Sequence, residues 1–238
     1  VIVSHEHRFV FLKTRKTAGT SIEVALSKIA GSDAIVTPLH PPESGHEPRN
    51  HEEEVKNDGS HAVPWKKMLR DLSATYDPSR YEAYLPYIPY FSHMPAWMAR
   101  IKLGPDVWDG YFKFAVERNP WEKVASLYWW THRDRNRPPD FEEWLRNDES
   151  VVSDRRIYTL NGDFAVDLLG RYETLDADVR RFLDRLGVGV EELKLPRTKS
   201  GARRNGGLYS PGGADHVGRV FRREIELFGY ECPPGLML

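Results

Sequence analysis

Phe9-Val10-Phe11-Leu12, then Lys13-Thr14-Arg15-Lys16-Thr17-Ala18-Gly19, then Thr20-Ser21-Ile22-Glu23-Val24-Ala25-Leu26 is the stretch that decides the fold class. The four apolar residues follow polar ones and predict a short buried strand. Ile22, Ala25, Leu26 and Ile29 recur at helical spacing, and Gly31 ends the pattern. Strand, small-residue loop, helix is the layout of a βα unit whose loop can cradle an anion. Successive N–H groups at a helix start form a nest, and the helix dipole adds partial positive charge. Ala18 and Gly19 are small enough for close backbone approach. Thr17, Thr20 and Ser21 offer hydroxyls, and Arg15 and Lys16 offer charge. Read from the residues alone, the loop is either a phosphate cradle or a polar strand–helix connection. The Mg-nucleotide loop G-x-x-x-x-G-K-S/T is absent, because Lys16 precedes Gly19 by three positions.

Working outward, Tyr111 to Val116 predicts a second strand, and Asn119-Pro120 opens a helix with proline in its first turn. Helices are expected over 141–146, 154–160, 174–186 (stopped by Gly187) and 215–228, and a further strand over 164–169. A short helix is expected over 65–72. Residues 36–64 read as an irregular insertion, 81–95 as packed irregular backbone, and 196–213 as a basic, Gly-rich loop. Strands alternating with helices predict a single α/β domain over 1–238, with a central, mostly parallel sheet flanked by helices.

The composition suits an ordinary globular chain: 238 residues, 40% hydrophobic, 29% charged and a net charge of -1. That balance excludes a global bias toward nucleic acid, so an anion site must come from local clustering. One cysteine, Cys232, excludes an internal disulfide. No stretch approaches the roughly 20 apolar residues of a membrane helix. Residues 1–8 are too polar for a signal peptide, and no Asn-x-Ser/Thr sequon occurs. These features predict a cytoplasmic protein with no membrane span. The scattered histidines lack metal-ligand spacing, so no metal is expected.

The second strand runs into Glu117-Arg118-Asn119-Pro120-Trp121-Glu122-Lys123-Val124-Ala125-Ser126. Ligands of open parallel sheets sit beyond the carboxyl ends of the strands, where Arg118 stands. Ser126 lies about two helical turns on. An arginine fork and a hydroxyl could grip one phosphate, but an arginine capping or salt-bridging a helix start is the plainer reading of this segment alone.

Together the two segments resemble a known family. Lys16-Thr17-Ala18-Gly19-Thr20-Ser21 resembles the 5'-phosphosulfate loop of sulfotransferases that use 3'-phosphoadenosine 5'-phosphosulfate (PAPS). Arg118-Asn119-Pro120-Trp121-Glu122-Lys123-Val124-Ala125-Ser126 resembles their 3'-phosphate site. Gly170-Arg171-Tyr172-Glu173-Thr174-Leu175, Leu195-Pro196 and Phe228-Gly229-Tyr230 extend the likeness in family order, toward the heparan and chondroitin types and their bacterial relatives.

The resemblance implies a P-loop-type three-layer fold. It also implies transfer of a sulfuryl group from PAPS to a carbohydrate or small-metabolite hydroxyl, with adenosine 3',5'-bisphosphate as product and no metal. Lys16 would stabilise the leaving phosphate. Arg15, Thr17, Ala18, Gly19, Thr20, Ser21, Arg118 and Ser126 would hold the nucleotide. His93, in Tyr90-Phe91-Ser92-His93-Met94-Pro95, is placed as the general base, against the plainer reading of a histidine satisfied among aromatics. Glu117 is a weaker candidate for the base, reading instead as pointing away or pairing with a lysine. Arg203 and Arg204, in the loop 199–207, would cover the nucleotide, unless that loop is simply solvated. Arg133, Arg135 and Arg137 either meet an acidic acceptor or form a solvated face. The rival readings are a P-loop kinase and a catalytically silent nucleotide-binding relative. An RNA-binding role fits poorly.

Overall fold

Phe9, Val10 and Phe11 form a three-residue strand, β2 (Phe9–Phe11), in the middle of a five-stranded sheet. A computed structural model describes residues 1–51, 88–147, 151–189 and 207–238 of the chain. On one side β2 runs parallel to β4 (Phe112–Glu117), with Phe9 opposite Phe112 and Phe11 opposite Phe114. β4 in turn runs parallel to β7 (Leu168–Arg171). On the other side β2 pairs antiparallel with β1 (Ile2–Ser4), which pairs antiparallel with β3 (Ile35–Val36). The order is β3-β1-β2-β4-β7.

This corrects the expectation of a mostly parallel sheet. The sheet is mixed, parallel only across β2, β4 and β7. The cause lies in residues 1–8. Ile2 and Val3 are fully buried, but the polar turn His5-Glu6-His7-Arg8, with Arg8 at φ 53, makes the segment look unstructured. A tight turn permits only antiparallel pairing of its flanking strands.

Alternation along β2 sorts the core into two layers. Phe9 and Phe11 face α1 (Gly19–Ile29) and α6 (Leu175–Leu186), where Phe182 stacks on Phe114 with ring centroids 4.6 Å apart. Val10 and Leu12 face α2 (Ala96–Gly110, kinked at Gly104) and α5 (Arg155–Tyr158). The architecture is therefore α/β, with the sheet covered by helices on both faces. A third apolar cluster joins α3 (Pro120–Thr131), α4 (Phe141–Asn147), α7 (Pro211–Val220) and α8 (Arg222–Phe228) around Trp121, Tyr128, Tyr209 and Phe221.

Several expected boundaries shift. The strand expected over 164–169 divides. Asp163–Phe164 (β6) pairs with Thr159–Leu160 (β5) across Asn161-Gly162, both at positive φ, and β7 starts only at Leu168. Asn-Gly is the preferred two-residue hairpin turn, so α5 stops at Tyr158 instead of running to Leu160. The single helix expected over 215–228 is two helices broken at Phe221. The first starts at Pro211, because the Ser210 hydroxyl accepts from the Gly213 N–H and proline fits the first turn. The supposed insertion contributes β3 at its edge, and Arg49 donates to the Ser27 and Gly31 carbonyls at 2.8 and 2.7 Å. The helix expected at 65–72, residues 52–64 of the insertion and most of the 196–213 loop lie outside the described residues. Among those described, no helix is long and apolar enough to cross a membrane.

Candidate anion site at the strand ends

The carboxyl ends of β2, β4 and β7 lie side by side, and the segments leaving them meet. Leaving β2, Thr14 ties the loop to β4 by donating its hydroxyl to the Val116 carbonyl. The Thr17 hydroxyl lies 2.8 Å from that of Thr14, so it turns inward rather than outward. Lys16 and Ala18 both have φ 60, and neither Thr17 nor Gly19 is at positive φ. This alternation of hand turns successive N–H groups toward one side, which is the geometry of an anion nest. A left-handed conformation disfavours a residue with a Cβ by about 1–2 kcal/mol, and two of them in three positions mark a strained, over-determined loop. Ala18 caps α1 with no side-chain hydrogen bond to its first turn. Gly19 is required by contact: a Cβ there would meet Lys13 Cγ at 2.7 Å. Lys13 cannot retreat, because its ammonium is buried against Glu23 at 2.6 Å. Thr20 is half-buried and Ser21 buried in the first turn of α1.

Arg15 points down, not out. Its Nε donates to Asp154 at 2.7 Å, its own N–H to the same carboxylate at 2.8 Å, and its Nη2 to the Val152 carbonyl at 2.5 Å. Asp154 also receives Lys123 at 2.9 Å, and Lys123 reaches Glu117 at 2.5 Å. The result is a buried chain of alternating charge beneath the loop. Burial alone would raise Asp154, but Lys123 and Arg15 hold it well below the usual carboxylate range. Burial raises Glu117, against the pull of Lys123. Burial would lower Lys123, but Asp154 and Glu117 outweigh it and raise it. Glu117 therefore pairs with a lysine, as its sequence setting suggested, and is fully buried, out of reach of a substrate. Asp154 and Lys123 escaped the sequence reading. No local pattern joins Arg15 to an aspartate 139 residues away.

Arg118, just past β4, brings the two motifs together. Its Nη1 donates to the Lys16 carbonyl at 3.3 Å, and its Nη2 to Glu122 at 2.9 Å. The guanidinium lies 4.1 Å from the ring centre of Tyr172, the first residue after β7. Arg118 Nε is buried and has no hydrogen-bond partner among the described residues. A buried donor of this kind is uncommon, and an anionic oxygen would satisfy it. Asn119 caps α3, its side chain accepting from the N–H groups of Trp121 and Glu122. Glu122, Ser126 and Trp130 then follow at four-residue intervals and share a face of α3. Glu122 holds Arg118, and the Lys16 ammonium lies 5.2 Å from the Trp130 ring centre, so Ser126 sits between the two cations along the helix. Ser126 is half-buried.

His93 approaches the same loop from before α2. Its Nδ1 is 3.0 Å from the Lys13 carbonyl. A carbonyl only accepts, so the neutral ring carries its proton on Nδ1 and presents a lone pair at Nε2. Burial, aided by the Lys13 charge and partly opposed by Asp154, lowers its pKa to about 4. His93 also has φ 66, a third left-handed residue at this end of the sheet. Arg203 and Arg204 lie outside the described residues. Arg133 stacks on Trp130 at 4.7 Å, on the side of the helix end where Arg135 and Arg137 follow. Among the described residues no group of three or more His, Cys, Asp or Glu side chains could hold a metal ion.

No family model and no solved structure matches the chain. An uncharacterized protein of Archaeoglobus fulgidus is 35% identical over 111 residues, which span 43% of this chain and 88% of the archaeal one. The chain belongs to the same family as that archaeal protein.

Proposed function

We propose that the chain is a sulfotransferase, moving a sulfuryl group from PAPS to a hydroxyl of a carbohydrate or small metabolite. The observation that carries the reading is the contact of Arg118 with the Lys16 carbonyl: two motifs 102 residues apart share one anion-ready corner at the ends of β2 and β4. The alternating hand of residues 16–18 and the unpartnered Arg118 Nε give that corner donors for two separate anionic groups. The same reading takes β2, the 13–19 loop and α1 as a P-loop-type arrangement and puts the protein in the cytoplasm.

PAPS supplies an activated sulfuryl group, so the residues need only orient it, neutralise charge on the leaving phosphate and take a proton. The nest of residues 16–19 and the start of α1 hold the 5' end. Arg118 and Ser126 hold the 3'-phosphate. Lys16 follows the negative charge as it builds on the leaving oxygen, which stabilises the transition state more than the bound substrate. His93 Nε2 accepts the proton of the attacking hydroxyl while Nδ1 stays fixed on the Lys13 carbonyl. Arg15 supports the loop from below instead of touching nucleotide.

Calorimetric titration tests this with adenosine 3',5'-bisphosphate, beside ADP with and without magnesium. The expected result is metal-independent binding of the bisphosphate. Magnesium-dependent binding of ADP, with none of the bisphosphate, would replace the proposal by the kinase reading. Bisphosphate binding without sulfation of any hydroxyl compound offered with PAPS would favour the silent relative.

A further inference from the structure

We infer that Glu122 stands in for the 3'-phosphate on Arg118 and so sets how tightly the nucleotide is held and how fast it leaves; this rests on the nucleotide reading above. Arg118 is only 14% exposed, and a guanidinium so far removed from water needs a counter-charge. The neighbouring carboxylates are committed elsewhere. Glu117 receives Lys123 and the Arg118 N–H, and Asp154 receives Lys123 and Arg15. Glu122 alone among the described residues makes an ion pair with Arg118, at 2.9 Å.

A phosphate reaching the Arg118 fork meets that carboxylate. It must either displace Glu122 or share the guanidinium with a like charge, and both oppose binding. Displacement is feasible. Glu122 is 27% exposed, near the start of α3, and can turn to water, where its charge still interacts favourably with the helix dipole. Arg118 itself need not move far, because Tyr172 and the Lys16 carbonyl fix its plane from two other sides. Glu122 is thus a specificity-determining residue that acts through Arg118. It weakens the complex with the 3'-phosphate, speeds product release, and keeps a buried cation paired in the interval.

The experiment compares the wild-type chain with E122Q, R118A and the double variant by calorimetry, using adenosine 3',5'-bisphosphate and adenosine 5'-phosphate. Glutamine keeps the shape and removes the charge. E122Q should bind the bisphosphate about tenfold more tightly and release it correspondingly more slowly, with little change for adenosine 5'-phosphate. The gain should vanish in the R118A background, the mark of a coupled pair. E122D, which keeps the charge but shortens its reach, should move the same way by less, and serves if E122Q folds poorly. An equal gain for both ligands, a gain that survives R118A, or no gain overturns the inference while leaving the nucleotide site intact. Failure of the wild type to bind the bisphosphate removes the nucleotide reading and this inference together.

Discussion

Arg15 and Lys16 are neighbours in the chain, yet the structure uses them in opposite ways. Arg15 turns into a buried row of charges in which every cation has a carboxylate within 2.9 Å. Lys16 turns the other way, to a half-exposed aromatic ring, beside an arginine whose Nε has no partner among the described residues. The first region is a closed electrostatic unit that holds the loop in place. The second sets Lys16 on an aromatic ring and pairs Arg118 with Glu122, nearer the surface. Adjacent basic residues of one loop thus divide between a buried support, Arg15, and a cation resting on an aromatic ring, Lys16. The division is set by where the carboxylates sit, not by the motif.

The comparison can be broken most sharply from the buried side. Asp154→Ala leaves Lys123 and Arg15 buried beside a missing counter-charge, and should destabilise the fold by about 3–5 kcal/mol in denaturant unfolding. A loss below about 1 kcal/mol would mean that the row is not a structural unit. On the open side, Lys16→Ala should leave the melting temperature almost unchanged and lower sulfuryl transfer by about 10³-fold, with a modest loss of bisphosphate affinity. Unchanged turnover would remove Lys16 from the chemistry.

His93→Ala should lower turnover by about 10²-fold with nucleotide binding intact. The same histidine makes a pH prediction. The folded chain protonates it only near pH 4, whereas the unfolded chain does so near the ordinary value of about 6.5. Its contribution to stability is therefore complete above 6.5 and lost as pH falls toward 4, and His93→Gln should flatten that part of the stability profile. Turnover should likewise hold down to about pH 5 before failing. Smallest of the four, Arg118→Ala should weaken bisphosphate binding by about tenfold without a change in thermal stability beyond that of a half-buried pair. A loss of fold instead would place Arg118 with the supports.

Much of the scaffold was legible in short windows. The strand at 9–12, the helix after Gly19, the strand ending at Glu117, the Asn119-Pro120 helix start and the Gly187 stop all appear where apolar period and cap chemistry put them. The hairpin at Asn161-Gly162 was equally written in the chain, as a favoured turn dipeptide between Thr159-Leu160 and Asp163-Phe164, each pair holding one apolar and one polar residue. β1 was hidden because its apolar run, Val1 to Val3, is only three residues long and leads straight into the polar turn Ser4 to Arg8.

Apolar spacing, the Lys16 to Ser21 loop and the Arg118 to Ser126 segment are local properties, so the residues alone determined an α/β chain and carried the resemblance of two segments to anion-binding motifs. Tertiary structure alone decided that the sheet is mixed, that Arg15 faces Asp154 and Arg118 reaches the Lys16 carbonyl, and that the Lys13 carbonyl sets the His93 proton. Each of these depends on which groups share a low-dielectric space. Partners 80 to 139 residues apart are chosen by packing and by the need to neutralise buried charge, and neither leaves a periodic trace in the chain.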